Sequence, residues 1–147
     1  MIDCYVLSPV RSAHLATRFL DSFLPDREPS FDADDPSEVL GLPSGASLDV
    51  CCTFLVDNPT TEYTLYWRSS ATDDPRHAIV AFNSDGSLVL GLSVGDPEPT
   101  TDGSMQSLAQ AWCNRLAEFA ATAESPAPLT HCGGELAPPC RLDFATR

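Results

Sequence analysis

Three histidines and six cysteines are the side chains of this sequence best suited to catalysis or metal binding. His14 and His77 have no second ligand three or four residues further along the chain, where a helix would present one. His131 and Cys132 form one adjacent pair with Cys140 downstream, whereas zinc sites usually combine two pairs of ligands about two to four residues apart. We therefore expect no metal site and no cofactor.

The cysteines are expected to be buried, reduced thiols rather than nucleophiles. A nucleophilic cysteine needs a base and an electropositive setting. The formal net charge of this chain is -13, and negative surroundings raise a thiol pKa. Cys51 and Cys52 are adjacent in an apolar run and Cys113 lies on an apolar helical stripe, which are ordinary positions for buried thiols. An even cysteine count indicates a disulfide framework mainly in short secreted chains.

Catalysis by other groups is not favoured either. The chain has no P-loop and no G-x-G-x-x-G dinucleotide fingerprint. Carboxylates are numerous enough to form pairs, as glycoside hydrolysis requires, but aromatic residues make up 8% of the chain and most of them lie on expected core faces. We predict that the protein is not an enzyme, with a small enzyme that uses an unrecognised acid/base pair as one alternative.

The charge of the chain indicates which partners it accepts. There are 21 acidic and 8 basic residues, and every basic residue is arginine. Such a field repels phosphate backbones and anionic lipids, so we expect neither nucleic acid nor a membrane as partner. A basic protein would be drawn in, although solubility alone also explains an acidic surface. The residues predicted to bind this partner are Asp32, Asp34, Asp35, Asp73, Asp74 and Tyr66.

The first part of the chain predicts a strand, a helix and a loop. Asp3 to Val10 is apolar and predicts a strand. Ser12 and Pro25 are suited to cap and to stop the helix that follows. Residues 25–47 are rich in proline and aspartate, and predict a long surface loop with one short strand at Val39 to Leu42. The apolar stripe of the helix consists of Leu15, Ala16, Phe19, Leu20 and Phe23.

The middle of the chain predicts strands. Leu48 to Val56 is apolar on both faces and predicts a central strand. Tyr63 to Arg68 alternates, with Tyr63, Leu65 and Trp67 on one face. Asp85-Gly86 between two apolar runs predicts a hairpin. These two runs are His77 to Phe82 and Leu88 to Val94.

The last third predicts a helix and a short strand. The helix begins near Ser104, and the strand covers Arg141 to Phe144. The apolar stripe of this helix consists of Met105, Leu108, Ala109, Trp112, Leu116 and Phe119. Together the elements predict one α+β two-layer domain over residues 1–147, a mainly antiparallel sheet of four to six strands with two amphipathic helices. The start of the chain lacks a signal peptide and no run is long enough to cross a membrane, so the expected location is the cytoplasm.

The hairpin sequence FNSDGSLVLGLSV, the helix after it and the Gly-Gly-Glu and Pro-Pro pattern of the tail resemble small immunity proteins of bacterial toxin and immunity systems. The resemblance covers the second half of the chain and carries no catalytic residue. It implies a bacterial cytoplasmic protein that binds and neutralises one cognate toxin. The expected oligomeric state is a monomer or a homodimer. An acidic secretion chaperone or adaptor is the second alternative, although such proteins typically open with a helix.

Overall fold

The computed structural model describes residues 2–30, 35–71, 74–95, 104–122 and 130–133. Its centre is a six-stranded antiparallel sheet in the order β2-β3-β4-β5-β1-β6. The first strand of the chain therefore lies between the last two strands, and the edges of the sheet are β2 and β6. The strands are β1 Ile2–Ser8, β2 Arg27–Pro29, β3 Tyr63–Ser69, β4 His77–Phe82, β5 Leu88–Val94 and β6 Thr130–Gly133.

In the described ranges four helices accompany this sheet, and the fold is α+β as expected. α1 begins after Ser12, whose hydroxyl accepts a hydrogen bond from the Leu15 N–H at 3.1 Å. The predicted apolar stripe of α1 is buried throughout. The remaining helices begin after Asp35, after Ser47 and at Ser104. The bounds are α1 Ala13–Phe23, α2 Pro36–Val39, α3 Leu48–Asp57 and α4 Ser104–Thr122.

α1, α3 and α4 bury their apolar sides in one cluster with one face of the sheet, and α2 packs against α3. Phe19 and Phe23 of α1 meet Phe119 of α4 with ring centroids 6.1 and 5.6 Å apart, which are favourable edge contacts. α4 also reaches the sheet directly, because the Cys4 thiol lies 3.6 Å from the Ala109 carbonyl oxygen. The strand residues of this core all lie on one side of the pleat: Cys4, Val6, Leu65, Trp67, Ala78, Val80, Phe82, Leu88, Leu90 and Leu92.

The prediction of a strand at Leu48 to Val56 is wrong, because this segment is helix α3. Its buried residues recur with helical spacing at Leu48, Cys51, Cys52 and Leu55. The Ser47 hydroxyl caps the helix by accepting from the Val50 N–H at 3.4 Å. A run that is apolar all round carries no period, so its length and its cap decide the structure.

Three other expectations about elements are corrected. The strand at Val39 to Leu42 is the end of the one-turn helix α2 and the turn after it, and the loop at 25–47 also contains β2. Leu108 of α4 is 37% exposed, and the helix instead buries Ala120. The strand expected at Arg141 to Phe144 lies outside the described residues, as does the side chain of Met105.

One arginine joins the end of α3 to the loop before β3 and to the hairpin between β4 and β5. The Arg11 guanidinium donates hydrogen bonds to the carbonyl oxygens of Leu55, Asn58, Thr61 and Asn83, of which those to Asn58 and Thr61 measure 2.9 and 2.7 Å. These carbonyls come from the end of α3, the approach to β3 and the hairpin between β4 and β5. Desolvation lowers the pKa of Arg11, while the charges of Asp85 and Glu62 act in the opposite direction. Arg11 therefore fixes where these three segments meet.

Candidate functional site

The second face of the sheet carries none of the described helices. We call it the open face, and its residues alternate along each strand with those of the core. Most of its side chains are half-buried, as expected for a sheet surface that faces solvent. The open face consists of Asp3, Tyr5, Leu7, Glu28, Thr64, Tyr66, Arg68, His77, Ile79, Ala81, Val89, Gly91 and Ser93.

An aromatic row crosses the middle of the open face. The strand register aligns Tyr66, Ile79, Gly91 and Tyr5 on four neighbouring strands. The Tyr5 ring lies over Gly91, because a Cβ at that position would come within 2.6 Å of the ring and 3.4 Å of the Ile79 Cβ. Tyr66 is 41% exposed. Because Gly91 has no Cβ, the Tyr5 ring lies flat on the sheet, while the Tyr66 side chain is exposed.

The environment of Tyr5 keeps its hydroxyl protonated. Burial raises the pKa of Tyr5 first, followed by the charge of Asp3, a hydrogen bond with Asp3 and the neighbouring Tyr66. Tyr5 is therefore a neutral part of an amphipathic surface rather than a phenolate at ordinary pH.

A polar row runs beside the aromatic row. The register places Glu28, Arg68, His77, Ser93 and Asp3 in line across five strands. Glu28 accepts two hydrogen bonds from the Arg68 guanidinium, at 2.9 and 3.2 Å, and both side chains are more than half exposed. The Ser93 hydroxyl donates to Asp3 at 2.6 Å. The open face therefore has an apolar centre with one charged and hydrogen-bonded margin, as protein-binding surfaces do.

Ser93 also lies in a segment, Gly91 to Gly95, that reads G-x-S-x-G. This is the spacing of a serine nucleophile elbow, which needs a sharp strand-to-helix turn and an exposed hydroxyl. Ser93 instead lies inside β5 and is 4% exposed, and its hydroxyl donates a hydrogen bond to Asp3 rather than to a histidine. Each glycine has a structural reason, since Gly91 admits the Tyr5 ring and Gly95 has a φ of 86°. The motif is thus explained by the sheet.

Two of the predicted binding acids have intramolecular roles. Asp35 caps α2 and accepts from the N–H groups of Ser37 at 2.9 Å and Gly45 at 3.3 Å, and these hydrogen bonds lower its pKa. Asp74 accepts from the Gly95 N–H at 2.7 Å. Their function in binding stays a prediction, but neither carboxylate is simply displayed on the surface. Asp32, Asp34 and Asp73 lie outside the described residues.

The cysteines do not all have the form expected from the sequence. Cys4, Cys51 and Cys52 are buried thiols, and burial is the main reason that the pKa of Cys4 rises to about 11 and that of Cys52 to about 12. Cys113 is disulfide-bonded, which corrects the expectation of a reduced thiol there. Among the described residues, no group of three or more His, Cys, Asp or Glu is arranged to hold a metal ion.

The described part of the surface also contains a depression away from the open face. A shallow depression on the outer side of α4 is lined by Gln106, Ser107, Gln110, Ala111 and Asn114, all from that helix. Such a surface on one element does not bring an acid and a base together from different directions.

None of the helices in the described part of the chain is long and apolar enough to cross a membrane.

Sequence reasoning found one member of the aromatic row and missed the others. Alternation in β3 predicted that Tyr66 and Trp67 point to different faces of the sheet, and the structure agrees, because Tyr66 is exposed and Trp67 is buried. Tyr5 and Gly91 were missed because their proximity requires β1 to pair with β5, a contact between distant parts of the chain. The available signal was a lone glycine within an apolar strand, which often marks close approach of another group.

No family model, characterised protein or solved structure matches this chain.

Proposed function

We propose that this protein works by binding another protein through the open face, as an immunity-type inhibitor of a basic cognate toxin. The observation that carries the proposal is the aromatic row, an exposed Tyr66 beside half-buried Tyr5 and Ile79 on a sheet face without a described helix. Tyrosine is among the residues that dominate binding energy at interfaces, because it buries a large area at low entropic cost.

The polar row supports a protein as the partner rather than a lipid or a nucleic acid. Arg68 and Glu28 already satisfy each other's charge and remain accessible at the margin, where such groups set orientation more than affinity. The net charge of -13 attracts a basic surface over a distance of about 8 Å at physiological salt. The apolar centre would then supply the affinity, and the overall field the rate of encounter.

The first experiment is coexpression of the chain with each protein encoded beside it, scored by growth and by copurification. Rescue from a toxic neighbour together with a stable complex is the expected result. A complex with a neighbour that is not toxic would favour the secretion chaperone or adaptor instead. If no neighbour forms a complex, the proposal is rejected.

The face is tested with the partner found in this way. We expect Tyr66→Ala to raise the Kd about tenfold or more, since loss of an interface tyrosine commonly costs above 1 kcal/mol. Leu108→Ala is the matched control, because Leu108 has a similar exposure, 37%, and belongs to α4 rather than to the sheet. Equal effects of the two variants would place the interface elsewhere.

The acids are tested separately through the association rate. Asp32→Asn, Asp34→Asn and Asp73→Asn together should slow association and weaken its dependence on salt, with little change in the dissociation rate. The control makes the same change in charge at the exposed residues Asp26, Asp57 and Glu118. A local acidic surface predicts a larger effect from the first set, whereas a purely global field predicts equal effects.

A further inference from the structure

The disulfide of Cys113 joins helix α4 to a part of the chain that follows it. Of the six cysteines, Cys4, Cys51 and Cys52 are thiols and Cys113 is bonded. The partner of Cys113 therefore has to be one of the two cysteines after the helix, Cys132 or Cys140. The two choices give different molecules, because Cys132 belongs to the edge strand β6 and Cys140 comes after it.

The packing of α4 on the sheet distinguishes these two cysteines. On the sheet side, the Cys4 sulfur lies 3.6 Å from the carbonyl oxygen of Ala109. Cys113 is four residues beyond Ala109, so both residues lie on one side of the helix, and both are buried. The sulfur of Cys113 is therefore on the side of α4 that covers β1.

The register of the sheet places Cys132 at this position. Cys4 and Cys132 are directly paired in the antiparallel β1–β6 ladder, and residues paired in this way share a face of the sheet. Neighbouring strands lie about 4.8 Å apart. Position 132 is thus on the face that α4 covers, within one strand spacing of the cysteine that α4 touches, and α4 packs on β6 as well as on β1.

We propose that Cys113 and Cys132 form the disulfide, and that it fastens the edge strand β6 to helix α4. The bond forms by loss of two protons and two electrons from the two thiols, which a disulfide of the cellular oxidising machinery accepts as it is reduced to a dithiol. Cys4 is the thiol nearest to this pair along the ladder. Its pKa of about 11 keeps it protonated, and so it exchanges slowly with the bond.

Peptide mapping of the full-length protein, purified without reductant and alkylated in denaturant, decides the pairing. Trypsin is unsuitable, because Cys132 and Cys140 both fall between Arg115 and Arg141. A glutamate-specific protease separates them by cleavage after Glu135. The expected product is one linked pair of peptides that contain Cys113 and Cys132, with alkylated thiols at the other four cysteines.

Three results would overturn the proposal: a linked pair of Cys113 and Cys140, a cross-strand link of Cys4 and Cys132, or alkylation of all six cysteines. The variants Cys132→Ser and Cys140→Ser give an independent measurement, in which each variant removes one cysteine by the same substitution. The first should release Cys113, so that all five remaining cysteines are alkylated and the Tm falls. The second should leave the link intact, with three alkylated cysteines and an unchanged Tm; the reverse pattern also rejects the proposal.

Discussion

At the scale of single residues, the most informative side chains are those that satisfy backbone groups far apart in sequence. Arg11 binds carbonyls of α3, of the loop after it and of the β4–β5 hairpin, and Asp35 and Asp74 accept from backbone N–H groups of neighbouring turns. The sequence assigned two of these residues to a partner surface and gave the third no function. Charge and type alone do not distinguish a displayed side chain from one that holds a loop, because the difference depends on which backbone groups come close.

Replacement of Arg11 should destabilise the fold more than any change at an exposed arginine. We expect Arg11→Lys to lower the free energy of unfolding by about 2 kcal/mol, since an ammonium cannot reach four carbonyls in two directions. Arg11→Met should cost about 4 kcal/mol, because it leaves several half-buried carbonyls without a donor. Urea unfolding measures both values. Arg18→Met is the control, with an expected loss below about 1 kcal/mol from its contact with the Phe119 ring.

Ser93 provides a residue-scale test of the enzyme alternative. If the Ser93–Asp3 hydrogen bond is structural, Ser93→Ala should cost about 1 to 3 kcal/mol, because the Asp3 carboxylate loses a donor at the half-buried margin of the sheet. An electrophilic phosphonate probe for reactive serines should then fail to label the wild-type protein. Labelling of the wild type that Ser93→Ala abolishes would show that the hydroxyl is a nucleophile. That result would identify the G-x-S-x-G segment as part of an active site.

At the scale of elements, the sequence predicted those whose pattern is periodic and missed those that depend on context. α1 carries a clear stripe and β3 a clear alternation, while Asp85-Gly86 marks the hairpin of β4 and β5, and the bounds of all four agree with the prediction to within one or two residues. α3 lacks a period in its apolar run. β2 and β6 have three and four residues, and they are strands only because β3 and β1 offer them an edge. The open face was therefore predictable strand by strand but not as a surface, since its two rows need the complete sheet order.

The N-caps explain why α3 is a helix, and they can be tested together. Ser12→Ala and Ser47→Ala should each cost about 1 kcal/mol, because each removes the acceptor for an unpaired N–H of the first turn. The effect at Ser12 should be the larger, since its hydrogen bond is 3.1 Å long against 3.4 Å at Ser47. Ser44→Ala changes an exposed serine outside a helix and serves as the control. If Ser47→Ala matches this control in thermal unfolding, the cap does not determine α3.

At the scale of the whole molecule, the disulfide and the location predicted from the sequence indicate different compartments. The sequence predicts a cytoplasmic protein, whereas a disulfide is typical of oxidising compartments. A loop of about 20 residues closed by such a bond stabilises a fold by about 3 kcal/mol, which is a substantial part of the stability of an ordinary domain. If the peptide map contains the link, an immunity function would be exercised against a toxin outside the reducing cytoplasm. The disulfide therefore bears on where the proposed partner is met.

The net charge of -13 makes a second prediction at this scale, about stability rather than binding. The described part of the chain contains three ion pairs, Asp21–Arg27 at 2.8 Å, Glu28–Arg68 at 2.9 Å and Asp74–Arg76 at 3.9 Å. The first two have at least one partner that is more than half exposed, so each contributes at most about 1 kcal/mol. Since the chain has 21 acids and 8 arginines, repulsion among the excess carboxylates should exceed this attraction.

Added salt should therefore stabilise the protein, because it screens the repulsion more than it weakens three pairs. We expect the Tm at pH 7 to rise by several degrees between about 0.01 and 0.3 M sodium chloride and then to level off, as the screening length falls from about 30 to 6 Å. Sodium chloride is preferred to sulfate, which would strengthen apolar burial as well. The triple variant Asp26→Asn, Asp57→Asn and Glu118→Gln should have a higher Tm in low salt and a smaller rise. A Tm that falls as salt is added would mean that the ion pairs, and not the excess of acids, govern the stability of this fold.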